Sequence, residues 1–256
     1  MLARVISLLL AVAFASTLSA AEKITIAAAS DLKGCLDEVA ADFRKAHADD
    51  EVELVYGSSG KFKTQIEQGA PFDLFFSADS AFPQDLLKAG LAVGEVHPYA
   101  LGRLVLWSKT IDASTLKVAD LTRADIQKIA IANPQHAPYG KRAEEALRAS
   151  GIWEKVEGKL VFGENISQTA QFAESGNAQV GMIALSLVLG PEMAGKGSYS
   201  LVPDSLHEPL EQGFVITKRA TDNALAKAFA DYMGSGQTRA VMVRYGFALP
   251  GEASGH

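Results

Sequence analysis

Short apolar runs alternate with amphipathic helical stretches along most of this 256-residue chain, and that alternation narrows its fold more than any other feature. The first run, Ile24-Thr25-Ile26-Ala27-Ala28-Ala29, is β-branched and then small, as suits a buried parallel strand. Leu36, Val39, Ala40, Phe43 and Ala46 then fall on one helical face, with Asp37, Glu38, Asp42, Arg44 and Lys45 outside it. A strand is expected over 52–56. Gly57-Ser58-Ser59-Gly60 opens the next helix, which has Phe62 and Ile66 inward and Gly69 at its end. The strand 74–76 leads to a helix that Ser80 caps, with Pro83 in its first turn and Gly90 past its end. Further strands are predicted at 104–107, 129–132, 160–162, 180–184, 200–203 and 214–217. Helices are predicted at 141–150, 167–174, 222–233 and 238–244.

Alternation of this kind means α/β units built on mostly parallel sheets. No Pro/Gly/Ser-rich linker divides the chain, so any two lobes must be joined by strands that cross between them. The segments 104–107 and 214–217 are the candidates. The expected division is a signal peptide over 1–21, a first lobe of 22–103 plus 218–256, and a second lobe of 104–217.

The N-terminal stretch fits export. Arg4 supplies a positive start, Val5 to Ala15 an apolar run, and Ser19-Ala20-Ala21 small residues suited to cleavage after Ala21. The run is short for a membrane span, which needs about 20 residues. The mature protein is therefore expected in the periplasm. The single cysteine, Cys35, cannot form an internal disulfide and is expected to be a buried small residue on a helix. A net charge of −6 and the lack of any basic run argue against a nucleic-acid partner. The same charge does not argue against a small anion, because local dipoles hold a buried anion.

Four places share one design, in which a strand ends and a helix or turn begins with small or polar residues. They are Ala29-Ser30-Asp31, Gly57-Ser58-Ser59-Gly60, Pro138-Tyr139-Gly140 and Glu164-Asn165-Ile166-Ser167. Ligands of α/β sheets sit beyond the carboxyl ends of strands, where first helical turns offer unpaired N–H groups and a positive dipole end. A serine at any one such junction is more commonly a helix cap. Four in one exported chain point to anion binding without naming the anion.

Several of these segments resemble a known family. The opening Ile24-Thr25-Ile26-Ala27-Ala28-Ala29-Ser30 is similar to that of the molybdate-binding proteins of bacterial ABC importers. So is the run Gln65-Ile66-Glu67-Gln68-Gly69-Ala70-Pro71-Phe72-Asp73-Leu74-Phe75-Phe76-Ser77-Ala78-Asp79. So are Asn133-Pro134-Gln135-His136-Ala137-Pro138-Tyr139-Gly140 and the closing Arg244-Tyr245-Gly246-Phe247. The resemblance implies the two-lobed periplasmic binding protein fold, with molybdate, and tungstate beside it, held in the interlobe cleft. It also implies delivery to a membrane permease with its ATPase, with no cofactor, no catalytic residue and no metal held as a bare cation; a monomer is expected. Carried over by position, Ser30 and Ser59 supply hydroxyls, and Tyr139 and Ile166 supply backbone N–H groups. Some members place a tyrosine hydroxyl on the anion where this chain has Ala184, so the shell either makes one bond fewer or uses another group such as Tyr139. Asp31 is expected to point outward and cap its helix; pointing inward, it would favour phosphate. Sulfate, phosphate or another small anion on the same architecture is the alternative ligand.

Enzyme motifs are missing from the sequence. His47, His97, His136, His207 and His256 make no metal-ligand spacing with Cys, Glu or one another. There is no G-x-S-x-G, phosphate loop or dinucleotide fingerprint. Near His136, Tyr139 and Lys141 lack a nucleophile with an orienting base.

Overall fold

The computed structural model describes residues 21–251, so the expected signal peptide falls outside the described residues except for Ala21. Two five-stranded sheets organise them. The first sheet has strand order β2-β1-β3-β10-β4, from β1 (Lys23–Ala29), β2 (Glu51–Gly57), β3 (Leu74–Ser77), β4 (Ala92–Gly102) and β10 (Leu210–Thr217). The second has order β7-β6-β8-β5-β9, from β5 (Leu104–Ser108), β6 (Ile129–Ala132), β7 (Leu160–Gly163), β8 (Val180–Ala184) and β9 (Ser198–Leu201).

Helices cover both faces of each sheet. In the first lobe α1 (Cys35–Arg44), α8 (Ala224–Met233) and α9 (Gly236–Arg244) lie on one face, and α2 (Ser59–Glu67) and α3 (Ala81–Lys88) on the other. Strand periodicity makes this sandwich possible, because successive side chains on β3 point to opposite faces. Phe76 stacks on Phe214 at 4.5 Å among the α1 and α8 side chains, while Phe75 joins Phe62, Ile66 and Leu86 beneath α2 and α3. Both rings are fully buried, worth about 1.5–3 kcal/mol each in apolar surface removed from water. In the second lobe α4 (Pro138–Ala149), α5 (Trp153–Val156), α6 (Ile166–Glu174) and α7 (Leu185–Leu189) enclose a core around Trp107, Ile129, Ile131 and Leu147. Cys35 is buried, as its helical position predicts, with its Sγ 3.5 Å from Met242 Sδ.

The chain passes from the first sheet to the second through Arg103 alone, between β4 and β5. It returns through residues 202–209, which include a short 3₁₀ turn at Asp204–Leu206. Gly102 and Leu210 are paired, so the two crossings lie side by side. Ala248 pairs with Leu101 immediately before the first crossing.

One expectation about the sheets holds and three features of the fold differ from the sequence-based expectation. Each sheet is mostly parallel, as expected: four of its five strands run one way, and one strand, β10 in the first sheet and β5 in the second, runs against them. Strand β4 was not expected; its Gly94 and Pro98 hide an edge strand whose pairing with β10 is interrupted by bulges. The segment 214–217 is not a crossing. It lies inside the first sheet, paired with β3, and the return crossing precedes β10. A second lobe drawn as 104–217 therefore includes a strand of the first sheet.

Candidate anion site

A small cavity of about 200 Å³ lies where the two sheets' parallel strands end. From the first lobe come Ala29, Ser30 and Asp31 after β1, Gly57, Ser58 and Ser59 after β2, and Ala78 after β3. From the second come Ala137, Pro138 and Tyr139 at the start of α4, and Ile166 at the start of α6. All four sequence-predicted residues, Ser30, Ser59, Tyr139 and Ile166, thus reach one cavity. Ala184, at the end of β8, is buried but does not line it.

Local structure sets what each residue can offer. Ser59 is the first residue of α2, and its Oγ accepts a hydrogen bond from Ala78 N–H at 3.1 Å. Its hydroxyl proton donates to none of the described residues and so remains available to the cavity. The Tyr139 and Ile166 N–H groups lie in the first turns of α4 and α6, where no intrahelical acceptor exists. The N-termini of α2, α4 and α6 all meet the cavity, so their dipoles add a positive potential there. No Lys, Arg or His side chain lines it. An acceptor-only anion fits such a shell, because donors converge without a counter-charge.

Contacts between the lobes surround the cavity. Ser30 Oγ donates to Asn165 Oδ1 at 3.2 Å and accepts from Ser167 N–H at 3.2 Å, while Ser167 Oγ donates to the Ser30 carbonyl at 2.8 Å. Ser58 Oγ contacts the His136 carbonyl and lies 2.9 Å from His136 Nδ1; Gly60 N–H donates to the same carbonyl at 2.9 Å. Ser186 Oγ donates to the Asp31 carbonyl at 2.7 Å. At the rim Lys61 pairs with Glu164, and Lys33 with Glu192 at 2.8 Å. Burial lowers the His136 pKa and the Glu164 charge opposes that shift.

Asp31 corrects the sequence reading. It is fully buried, not turned outward as a helix cap. The chain makes a 3₁₀ turn at Ser30–Leu32 before α1 begins at Cys35, and Asp37 rather than Asp31 accepts the Gly34 N–H there, at 3.0 Å. Asp31 Oδ2 instead accepts from Gln212 Nε2 at 2.6 Å, and Tyr99 O–H donates to Gln212 Oε1 at 2.8 Å. The Tyr139 hydroxyl, proposed from sequence as a replacement for the tyrosine missing at 184, joins this cluster and accepts from Gln212 Nε2 at 3.3 Å. Burial pushes the Asp31 carboxyl up to about 6, against the lowering pull of its Gln212 and Tyr139 contacts. Burial and the Asp31 charge together raise the Tyr139 hydroxyl well above its ordinary value.

Sequence reasoning missed Ser58, Gln212 and Asn165. Ser58 was visible in the Gly57–Gly60 turn but stood next to a serine better placed to donate. Gln212 carries no local signal, since it sits in a strand 181 residues from the carboxylate it holds.

The described chain from 24 to 248 matches the family model described as bacterial extracellular solute-binding protein. The chain belongs to this family. As a solute-binding protein it is not an enzyme, and the observed contacts are those of a binding cleft. It is 41% identical over 200 residues to the molybdate-binding protein ModA of Rhodobacter capsulatus, covering 77% of each chain. To the molybdate-binding protein ModA of Azotobacter vinelandii it is 36% identical over 230 residues, covering 90% of this chain and 91% of that one. Among solved structures, the Azotobacter vinelandii periplasmic molybdate-binding protein superposes with a TM-score of 0.83 at 32% identity, over 89% of this chain and 99% of that chain. The sulfate-binding protein SubI of Mycobacterium tuberculosis, at 17% identity and a TM-score of 0.72, shares the fold of this solute-binding protein. No helix among the described residues is long and apolar enough to cross a membrane.

Proposed function

We propose that this protein captures molybdate, and tungstate with it, between its two lobes and hands the anion to the permease and ATPase of an ABC importer. One observation carries the reading. Donors from both lobes converge on a small cavity at the ends of five strands, and no cationic side chain lines it. Ser59 supplies a free hydroxyl, and Tyr139 and Ile166 supply N–H groups. Ser30 either turns its hydroxyl to the anion or holds the lobes together through Asn165. The family and its molybdate-binding relatives support the ligand class and an exported, periplasmic location. Charge-assisted hydrogen bonds contribute about 1.5–3 kcal/mol each. The four named donors would together contribute about 6–12 kcal/mol, a range that reaches micromolar binding, about −8 kcal/mol, after modest ordering costs. Because the donors are split between lobes, the shell is complete only when the lobes meet, so capture is hinge closure.

The buried Asp31 favours a second reading. Hydrogenphosphate carries a proton that a carboxylate would accept, so phosphate is the competing ligand. Melting temperatures in the presence of molybdate, tungstate, sulfate and phosphate separate the two, since a ligand of the folded state raises the midpoint. Molybdate and tungstate are expected to give the largest increases. Stabilisation by phosphate or sulfate, with none by molybdate, would overturn the ligand assignment.

A further inference from the structure

Asp31 is a buried acid with no basic partner. It lines the cavity, its side chain is fully enclosed, and its Oδ1 accepts no hydrogen bond. The titratable groups facing it are all neutral near pH 7: Tyr139 from α4, Tyr99 from β4 and Cys35 from α1. Strand β10 presents the Gln212 amide and α7 the Ser186 hydroxyl. The basic residue one turn along α4, Arg142, is turned to Glu145 at 2.7 Å and Asp79 at 4.0 Å.

A dianion entering this cavity therefore meets an ionised carboxylate in a poorly solvated place, with no cation among the lining residues to offset it. Like charges at such separations favour protonation of the weaker acid, as in paired carboxylates. We propose that Asp31 belongs to the anion shell as a neutral carboxylic acid, so that capture of a fully deprotonated oxyanion carries one proton from solvent onto its carboxylate. The proton bonds to a carboxylate oxygen, the anion stays unchanged, and the complex gains one positive charge relative to simple association. The new O–H gives Asp31 a donor where the ionised form has only acceptors. Burial has already raised this carboxyl to about 6 in the free protein, so little further stabilisation is needed to protonate it near neutrality. The inference rests on the oxyanion reading above. It makes Asp31 a selectivity element: a fully deprotonated oxyanion must recruit a proton, whereas hydrogenphosphate brings its own and would bind the ionised acid without uptake.

The sign of the pH dependence follows. Below about pH 6 Asp31 is protonated before binding and no proton is taken up. Above it, affinity for a dianion falls by up to about tenfold per pH unit until the pKa of the complex is passed. The test is titration calorimetry of the wild-type protein at about pH 7.5 in buffers of differing ionisation enthalpy, with sodium molybdate and sodium sulfate as fully deprotonated probes and phosphate as the protonated one. The expected result is uptake approaching one proton per dianion bound, with Asp31→Asn binding the same dianion without uptake. Dianion binding by the wild type with no uptake would overturn the proposal, whatever the fate of the variant. Sulfate binding with uptake, and no molybdate binding, would sink the ligand assignment and leave the proton coupling standing. Phosphate binding alone, without uptake, would overturn both.

Discussion

The two lobes repeat one plan with different chemistry at the cleft. In each, three parallel strands lie beside one reversed strand and an outer strand that runs with the three, and α2 in the first lobe and α4 and α6 in the second bring their N-termini to the cavity. The first lobe presents side chains: the hydroxyls of Ser30 and Ser59 and the carboxyl of Asp31. The second presents backbone, the N–H groups of Tyr139 and Ile166, and sends the Tyr139 side chain past the cavity to Gln212. A side-chain donor can be tuned or removed by one substitution. A backbone donor is fixed by the fold, so in the proposed shell the second lobe is the rigid template and the first sets the strength.

Glycine substitutions give the largest expected effects and the clearest way to break this comparison. A Cβ on Gly140 would lie 2.1 Å from the Ala132 carbonyl oxygen, within the second lobe. Gly140→Ala should therefore unfold the template itself, costing 3 kcal/mol or somewhat more, on the order of the upper range for overpacking. A Cβ on Gly60 would lie 2.7 Å from the His136 carbonyl oxygen, across the interlobe boundary. Gly60→Ala should leave the ligand-free melting temperature near wild type and weaken anion binding by about 10–100-fold, on the order of 1–3 kcal/mol. Melting curves and calorimetry on the pair check this; equal loss of stability in both would mean that the lobes do not close as separate bodies.

Two serines sharpen the comparison on a smaller scale. Ser59→Ala removes a hydroxyl whose proton is free, and should cost about 1.5–3 kcal/mol of binding by calorimetry. Ser30→Ala removes one already engaged with Asn165 and Ser167, and should cost about 0.5–1.5 kcal/mol. A reversed order would mean that Ser30 leaves Asn165 to face the anion. Smallest is the rim: Lys61→Met breaks the exposed pair with Glu164 and should change affinity by about 1 kcal/mol or less, an effect that vanishes at high salt.

Much of this was legible in the sequence because it is local. β1, β3, β6 and β8 are short buried runs, and each cleft junction is written within about four residues; within those junctions it was the family resemblance that singled out Ser30, Ser59, Tyr139 and Ile166. Nonlocal features were not. β4 takes its place from pairing with β10 more than 100 residues away, and its Gly94 and Pro98 read as loop. The strand 214–217 looked like a crossing because nothing in it reveals its partner, β3. Asp31 looked like a cap, the usual role of an aspartate before a helix, until Gln212 gave it a buried partner.

The bridge between Leu101 and Ala248 ties the last described strand-like segment to the link between the lobes, on which the proposed closure would turn, with N–H to carbonyl distances of 2.8 and 3.1 Å. The C-terminal end is thus a handle on the hinge. A fluorophore or fused reporter attached just beyond Ala248 would sit within reach of the proposed joint while lying at the far end of the chain from the serines proposed to bind the anion. The molecule thereby offers a place to read out closure without altering the site that causes it.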